Sequence, residues 1–277
     1  MEMKSGKPKT ISILGCGWLG LPLAKHLLQA GYRVKGSTTA KKNLAPFSEQ
    51  GIEPFYLVLD PEMRGDGVDD FFSADILVVN FPPERRDDIV EYHQAQIHAL
   101  ISEIKKSPVK KVIFVSSTSV YPNLRRDVFE YEEAPPKKAS GLALLAVERL
   151  FTACPDFETT VLRFGGLIGY DRKPGRFLSG RKEVRNGDAP VNLIHRDDCV
   201  AIIRSIIENN VWGEILNACA DFHPHRKDYY ISQAKKIGVE PPAFREGADT
   251  DFKIVRSDKL KQILSYEFKY PDPSTIE

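Results

Sequence analysis

The stretch TISILGCGWLG, Thr10 to Gly20, decides how this chain is read. Residues 10–14 form a short apolar run of strand type, and the glycine turn Gly15-Cys16-Gly17-Trp18-Leu19-Gly20 follows at once. Residues 19–29 then change period: Leu19, Leu23, Leu27 and Leu28 recur at helical spacing, and Gly31 stops the helix. A GxGxxG pattern alone is weak. Between a strand and a helix it has the context that gives it meaning.

Each glycine has a separate job in that context. Gly15 permits the tight turn, Gly17 lets backbone approach a pyrophosphate, and Gly20 allows the helix to pack closely on the sheet. The helix N-terminus offers N–H groups to anionic oxygens. Gly15, Cys16, Gly17, Trp18, Leu19 and Gly20 are therefore the candidate pyrophosphate-binding residues. Trp18 either closes one side of the turn or packs inward.

Outward from this unit, strands are expected at 32–37, 55–59, 76–80, 112–116 and 160–164, with helices at 87–106 and 143–151. Residues 76–80 are nearly all apolar, as in a strand covered on both faces. The alternation predicts an α/β fold: a Rossmann-type doubly wound parallel sheet with right-handed crossovers. Beyond Gly169 the pattern changes. A glycine- and base-rich loop (171–187) precedes a helix (197–208), a short strand (214–218), a helix (226–237) and a closing segment (257–273). The expected organisation is a dinucleotide-binding domain over residues 1–169 and a smaller substrate-side cap over 170–277, with segments returning to the sheet.

The chain has 277 residues, 42% of them hydrophobic, enough for one large core. With a net charge of +1 and 28% charged residues, it lacks the basic surplus that nucleic-acid binding usually needs. No segment approaches the apolar length of a membrane span, and residues 1–9 show no apolar targeting core. A cytoplasmic protein is expected. Cys16, Cys154, Cys199 and Cys219 form no CxxC pair, so buried free thiols are expected rather than a zinc site or disulfides. His223 and His225 have no nearby thiolate partners, and no metal is expected.

The end of the second strand bears on the choice of cofactor. NAD sites commonly carry an acid about 20 residues after the glycine turn. Here the chain reads Gly36-Ser37-Thr38-Thr39-Ala40-Lys41-Lys42. Hydroxyls and ammonium groups suit a 2′-phosphate, so NADP is expected over NAD, with Ser37, Thr38, Thr39 and Lys41 as its contacts. The alternative is that Lys41 and Lys42 merely begin a solvated helix. Asp60 is expected to follow the third strand and accept from the adenine amino group, or to be a solvated loop carboxylate. Phe81, Pro82 and Pro83 follow the fourth strand and form a rim beside the adenosine half.

Two further segments carry a family resemblance: Val115-Ser116-Ser117-Thr118-Ser119-Val120-Tyr121 and Asn192-Leu193-Ile194-His195-Arg196-Asp197-Asp198. With the glycine turn, Leu162-Arg163-Phe164-Gly165-Gly166-Leu167-Ile168-Gly169 and Tyr270-Pro271, they resemble the extended short-chain dehydrogenase/reductase superfamily, in its NAD(P)-dependent epimerase/dehydratase branch. The resemblance implies a small-molecule substrate, sugar-nucleotide-like or a simple carbonyl or alcohol. It implies a Ser or Thr that fixes the substrate oxygen, mapped onto Ser117. It also implies a Tyr that moves the proton and, four residues on, a Lys that holds the nicotinamide ribose.

Counting back from Glu148, the Tyr position is Ser140 and the Lys position Leu144. Residues 140–148 contain neither a Tyr nor a Lys. Tyr121 and Tyr131 are considered as replacement acids, with packing and an acidic surface loop as their competing roles. The resemblance sets Ser116, Arg163, Gly165 and Gly166 on the cofactor. It sets Asn192 and His195 on the substrate side, at the boundary with the cofactor domain, and Arg176 in a basic loop with Arg172, Lys173, Arg181 and Lys182 that either helps bind a diphosphate or is a solvated loop. His195 has capping of the following helix as its alternative role. Helices 87–106 and 143–151 imply a possible homodimer. Two functions compete: an oxidoreductase or epimerase, and a non-catalytic dinucleotide-binding sensor or interaction protein. A structural protein that has also lost the cofactor is opposed by the intact turn.

Overall fold

The computed structural model describes residues 8–247 and 251–276; residues 1–7, read above for targeting, lie outside the described residues. In chain order the elements begin β1 (Thr10–Leu14), α1 (Gly20–Gln29), β2 (Arg33–Thr38), α2 (Leu44–Glu49), β3 (Glu53–Asp60), β4 (Glu62–Gly65) and α3 (Val68–Phe72). They continue with β5 (Ile76–Val79), α4 (Ile89–Lys106), β6 (Lys111–Ser117), β7 (Asp127–Val128), α5 (Ala139–Thr152), β8 (Glu158–Phe164) and β9 (Gly166–Ile168). The last are β10 (Leu193–His195), α6 (Arg196–Glu208), β11 (Ile215–Ala218), α7 (Arg226–Lys236), β12 (Ile254–Val255) and α8 (Asp258–Leu264).

Eight strands form the main sheet in the order β4-β3-β2-β1-β5-β6-β8-β11. β1 pairs in parallel with β2 and with β5, so the order reverses between β1 and β5. All four residues of β5 are buried, which explains the unbroken apolar run at its centre. This is the doubly wound Rossmann-type sheet that the alternation predicts. β4 was not expected. Its sequence Glu62-Met63-Arg64-Gly65 has no alternating apolar pattern, yet it pairs antiparallel with β3 as an edge strand. Asp60 consequently ends β3 opposite Glu62 rather than following the strand.

The chain divides into two compact units. The first takes residues up to Ser116, Leu142–Val161 and Asn210–Glu214; the second takes Ser117–Gly141, Leu162–Asn209 and residues from Ile215 onward. Within the second, two parallel strand pairs, β9 with β10 and β7 with β12, provide local order. Among the described residues no helix is long and apolar enough to cross a membrane.

Asp198 clamps the second unit. It is fully buried in the first turn of α6, where its negative charge suits the helix dipole. Its carboxylate accepts from the Tyr266 hydroxyl at 2.8 Å, the Lys269 N–H at 2.7 Å and the Tyr270 N–H at 3.1 Å. Asp198→Ala strands three donors and is expected to lower unfolding stability by about 3 kcal/mol or more. Urea titration checks this; a loss below about 1 kcal/mol would contradict the clamp.

Candidate functional site

The glycine turn sits at the carboxyl end of β1, beside the point where strand order reverses. That is where open α/β sheets hold ligands. Gly15 has φ +101°, and a Cβ there would lie 2.3 Å from the Asn80 carbonyl oxygen. Asn80, just after β5, returns a hydrogen bond from Nδ2 to the Gly15 carbonyl at 3.0 Å. The two loops flanking the reversal are thus tied together. A Cβ on Gly20 would lie 2.3 Å from the Gly15 oxygen, so the start of α1 presses on the turn.

Gly17 differs from both. It is exposed, and a Cβ there would meet nothing within 4 Å. The space at Gly17 leaves its backbone open to the approach of a ligand. Trp18 is half-buried and Leu19 buried. The Cys16 side chain turns inward, and burial pushes its thiol up to about 12, leaving only backbone to meet a ligand.

The ribose end corrects the cofactor expectation. Ser37 Oγ accepts from the Gly15 N–H at 2.9 Å, and the Ser37 carbonyl accepts from the Cys16 N–H at 2.9 Å. Thr38 Oγ1 accepts from the Ala40 N–H and from Asn43 Nδ2, both at 3.1 Å. The Lys41 ammonium lies 5.1 Å from the centre of the Tyr56 ring. Ser37 therefore braces the glycine turn, Thr38 holds the segment that follows β2, and Lys41 rests on an aromatic face. Exposed Thr39 completes the segment.

Asp60, expected beside the adenine, is exposed and accepts from the Tyr92 hydroxyl at 2.5 Å. Phe81 packs edge-on against buried His93 with ring centres 5.6 Å apart, and Pro82 and Pro83 follow it in the loop after β5. Buried Ser116, near the end of β6, donates to buried Glu148 on α5 at 2.5 Å. Leu144, which the resemblance sets at the family's lysine position, is buried in the first unit with 5% exposure.

In the second unit, Ser117 Oγ accepts from the Ser119 N–H at 3.2 Å and caps a single 3-10 turn. A Cβ on Gly141 would lie 2.3 Å from the Ser119 oxygen. The start of α5 is thus pressed onto the Ser117 turn, bringing Ser140 beside it. Tyr121 is not available as an acid. Its hydroxyl accepts from Arg163 Nη1 at 2.6 Å and donates to Asn217 Oδ1 at 2.7 Å, and burial pushes it up to about 12 against the opposing Arg163 charge. Arg163 is buried and also donates to the Glu130 carbonyl at 3.2 Å. Tyr131 is 76% exposed and stacks on Phe129.

Gly165 and Gly166 serve close packing. A Cβ on Gly165 would lie 2.6 Å from Cys219 Sγ, and one on Gly166 would lie 2.8 Å from Leu193. His195 caps α6 through Nδ1, which accepts from the Asp197 N–H at 3.2 Å; burial lowers its pKa and keeps that nitrogen an acceptor. Arg176 is exposed in a 3-10 turn, and Lys182 pairs with Glu240 at 2.7 Å. Among the described residues no group of three or more His, Cys, Asp or Glu is placed to hold a metal.

Lys253 was not anticipated. It is one of 39 basic residues, in a segment with no motif to mark it. Asn192 holds its backbone: Nδ2 donates to the Lys253 carbonyl at 2.9 Å, and Oδ1 accepts from the Val255 N–H at 2.8 Å. The ammonium donates to the Tyr121 carbonyl at 2.5 Å. Burial pushes it down to about 8, with Cys219 opposing and Lys138 assisting. A lysine near neutrality thus joins Asn192 and the loop that carries Ser117.

The reversed parallel sheet, with its glycine turn at the reversal, defines a dinucleotide-binding α/β protein. Residues 11–219 match the NAD dependent epimerase/dehydratase family, and the chain belongs to it. It is 34% identical to protein YeeZ of Escherichia coli over 268 residues, covering 96% of this chain and 97% of that one. A solved conserved protein of unknown function from Silicibacter pomeroyi has 24% identity and TM-score 0.74, covering 95% of each chain. The UDP-glucuronic acid 4-epimerase of Bacillus cereus, solved with UDP-glucuronic acid and NAD, has 17% identity and TM-score 0.77 over 94% of each chain. The expectation of NADP is thereby corrected to NAD: the solved relative carries NAD, and the Ser37 and Thr38 hydroxyls meant for a 2′-phosphate are engaged inside the protein.

Proposed function

We propose that this chain is an NAD-dependent oxidoreductase or epimerase acting on a sugar-nucleotide-like substrate, with Lys253 as its acid/base group. The observation that carries the reading is the open space at Gly17, in a turn braced at the reversal of the sheet. Family membership and the UDP-sugar bound by the Bacillus cereus relative support the substrate class.

Bound NAD supplies a hydride acceptor. The chain must then fix the substrate hydroxyl and take its proton. Ser117 orients the substrate oxygen, and neutral Lys253 receives the proton. A group near pKa 8 suits transfer in both directions close to neutral pH. Asn192 is a positioning residue, because it holds the backbone on either side of Ile254, at the Lys253 carbonyl and the Val255 N–H. Exposed Arg176 offers charge to a diphosphate. A homodimer through α4 and α5 belongs to the same reading and is tested by light scattering of the eluting protein.

Titration calorimetry with NAD, followed by incubation with UDP-glucose, UDP-glucuronic acid and UDP-N-acetylglucosamine, tests the proposal. NAD binding is expected, together with conversion of at least one sugar nucleotide, read by proton NMR. Absence of NAD binding would overturn it. A second reading, a non-catalytic NAD-binding protein, is favoured by Leu144, whose buried apolar side chain cannot hold a ribose hydroxyl. It predicts NAD binding without product from any of the three.

A further inference from the structure

The second unit contains a cavity of about 360 Å³, between the segment that follows β9 and one face of α7. The volume is that of a small-molecule site, near the lower end of the usual range of about 300–1,000 Å³. Its α7 wall is a single helical stripe, Tyr229, Gln233, Lys236 and Ile237, at offsets of four, seven and eight. Ile168, Pro174 and Ile276 add apolar walls. The close approach of the opposite wall requires a glycine: a Cβ on Gly175 would lie 2.4 Å from the Gln233 carbonyl oxygen. Lys236 closes the carboxyl-terminal side by donating to the Ser274 carbonyl at 2.9 Å and the Ile276 carbonyl at 3.2 Å.

Two polar side-chain atoms on the residues of this wall lack partners. Tyr229 is 2% exposed and Gln233 is 6% exposed. Neither the Tyr229 hydroxyl nor Gln233 Nε2 has a hydrogen-bond partner among the described residues. Buried polar groups are almost always satisfied, and a pair left over in the wall of one cavity needs an explanation. Both are donors, since burial pushes the Tyr229 hydroxyl far above its ordinary pKa and keeps it protonated. Lys173 lines the same cavity and contributes a positive charge.

We propose that this cavity is a binding site for a small apolar carboxylate: the Tyr229 and Gln233 side chains, whose unpartnered donor atoms are covered in this structure, turn to take its two oxygens, and the isoleucine and proline walls hold its hydrocarbon body. Two donors match the acceptor-only chemistry of an ionised carboxylate. The apolar walls disfavour a sugar or a diphosphate. The site is independent of NAD and of the turnover proposed above.

3-Phenylpropionate is the probe, with 3-phenylpropanol as its uncharged counterpart. Binding is followed by calorimetry and by the Gln233 side-chain amide signals in a ¹⁵N spectrum. The acid is expected to bind saturably in the millimolar range or tighter and to shift those amide signals, and the alcohol at least about tenfold more weakly. Tyr229→Phe and Gln233→Leu each weaken binding of the acid by about tenfold or more, while their melting temperatures stay equal to wild type or rise. Ile237→Trp fills the cavity and serves as a second blocking variant should either of these misfold. No saturable binding of the acid, equal binding of acid and alcohol, or unchanged affinity in the folded variants would overturn the proposal.

Discussion

Gly17→Val is expected to fold as the wild type does and to bind NAD at least about 100-fold more weakly. The expectation follows from a difference among three glycines. At Gly15 a side chain meets the Asn80 carbonyl and a left-handed φ, and at Gly20 it meets the Gly15 carbonyl. Gly15→Val and Gly20→Val should therefore damage the protein before any ligand arrives. At Gly17 a side chain meets nothing, and φ lies outside the left-handed region. Valine there enters only the volume a pyrophosphate would occupy, removing close backbone approach without disturbing the core. Trp18 fluorescence titrated with NAD, beside a thermal melt, reads both halves. Unchanged NAD affinity in a normally melting Gly17→Val protein would place the cofactor elsewhere.

Lys253→Met is expected to lower turnover by about 100-fold or more while leaving NAD affinity within a few-fold of wild type. In the oxidative direction the rate should rise through an apparent pKa near 8, because the neutral amine accepts the proton; in the reductive direction it should fall through the same value. The folded protein depresses this lysine, so between about 8 and about 10.4 the unfolded chain binds the extra proton and stability rises with pH. Methionine removes that contribution, and the variant should be no less stable at pH 7. Loss of activity with an unshifted pH profile in Lys253→Arg would assign the lysine to packing, whereas a shift of the profile toward higher pH supports proton transfer. Ser117→Ala should reduce turnover less than Gly17→Val does, since the hydroxyl only orients a substrate that the cofactor site must first make reactive.

The strands and helices that hold the glycine turn were legible because they depend on local periodicity. β1, β5 and α1 announce themselves by apolar runs and leucine spacing, and neighbouring residues settle their type. β4 did not, because an edge strand of Glu62-Met63-Arg64-Gly65 exists only through pairing with β3. The same limit governed the ribose end. Ser37 and Thr38 read as ligand contacts in one dimension, and in three they hold Gly15, Ala40 and Asn43. Tyr121 was open to two readings, a replacement acid or packing, and its hydroxyl is held between Arg163 and Asn217.

What the sequence determined by itself is the dinucleotide-binding turn and that residues 140–148 hold neither a Tyr nor a Lys, since both are statements about residue types at fixed positions. Tertiary structure alone decided which hydroxyls are already engaged and that Lys253 meets the Tyr121 carbonyl 132 positions away. Spacing along a chain carries no information about such partners. Hydrogen bonding and burial between distant segments assign them, and the same burial sets the proton affinity of Lys253.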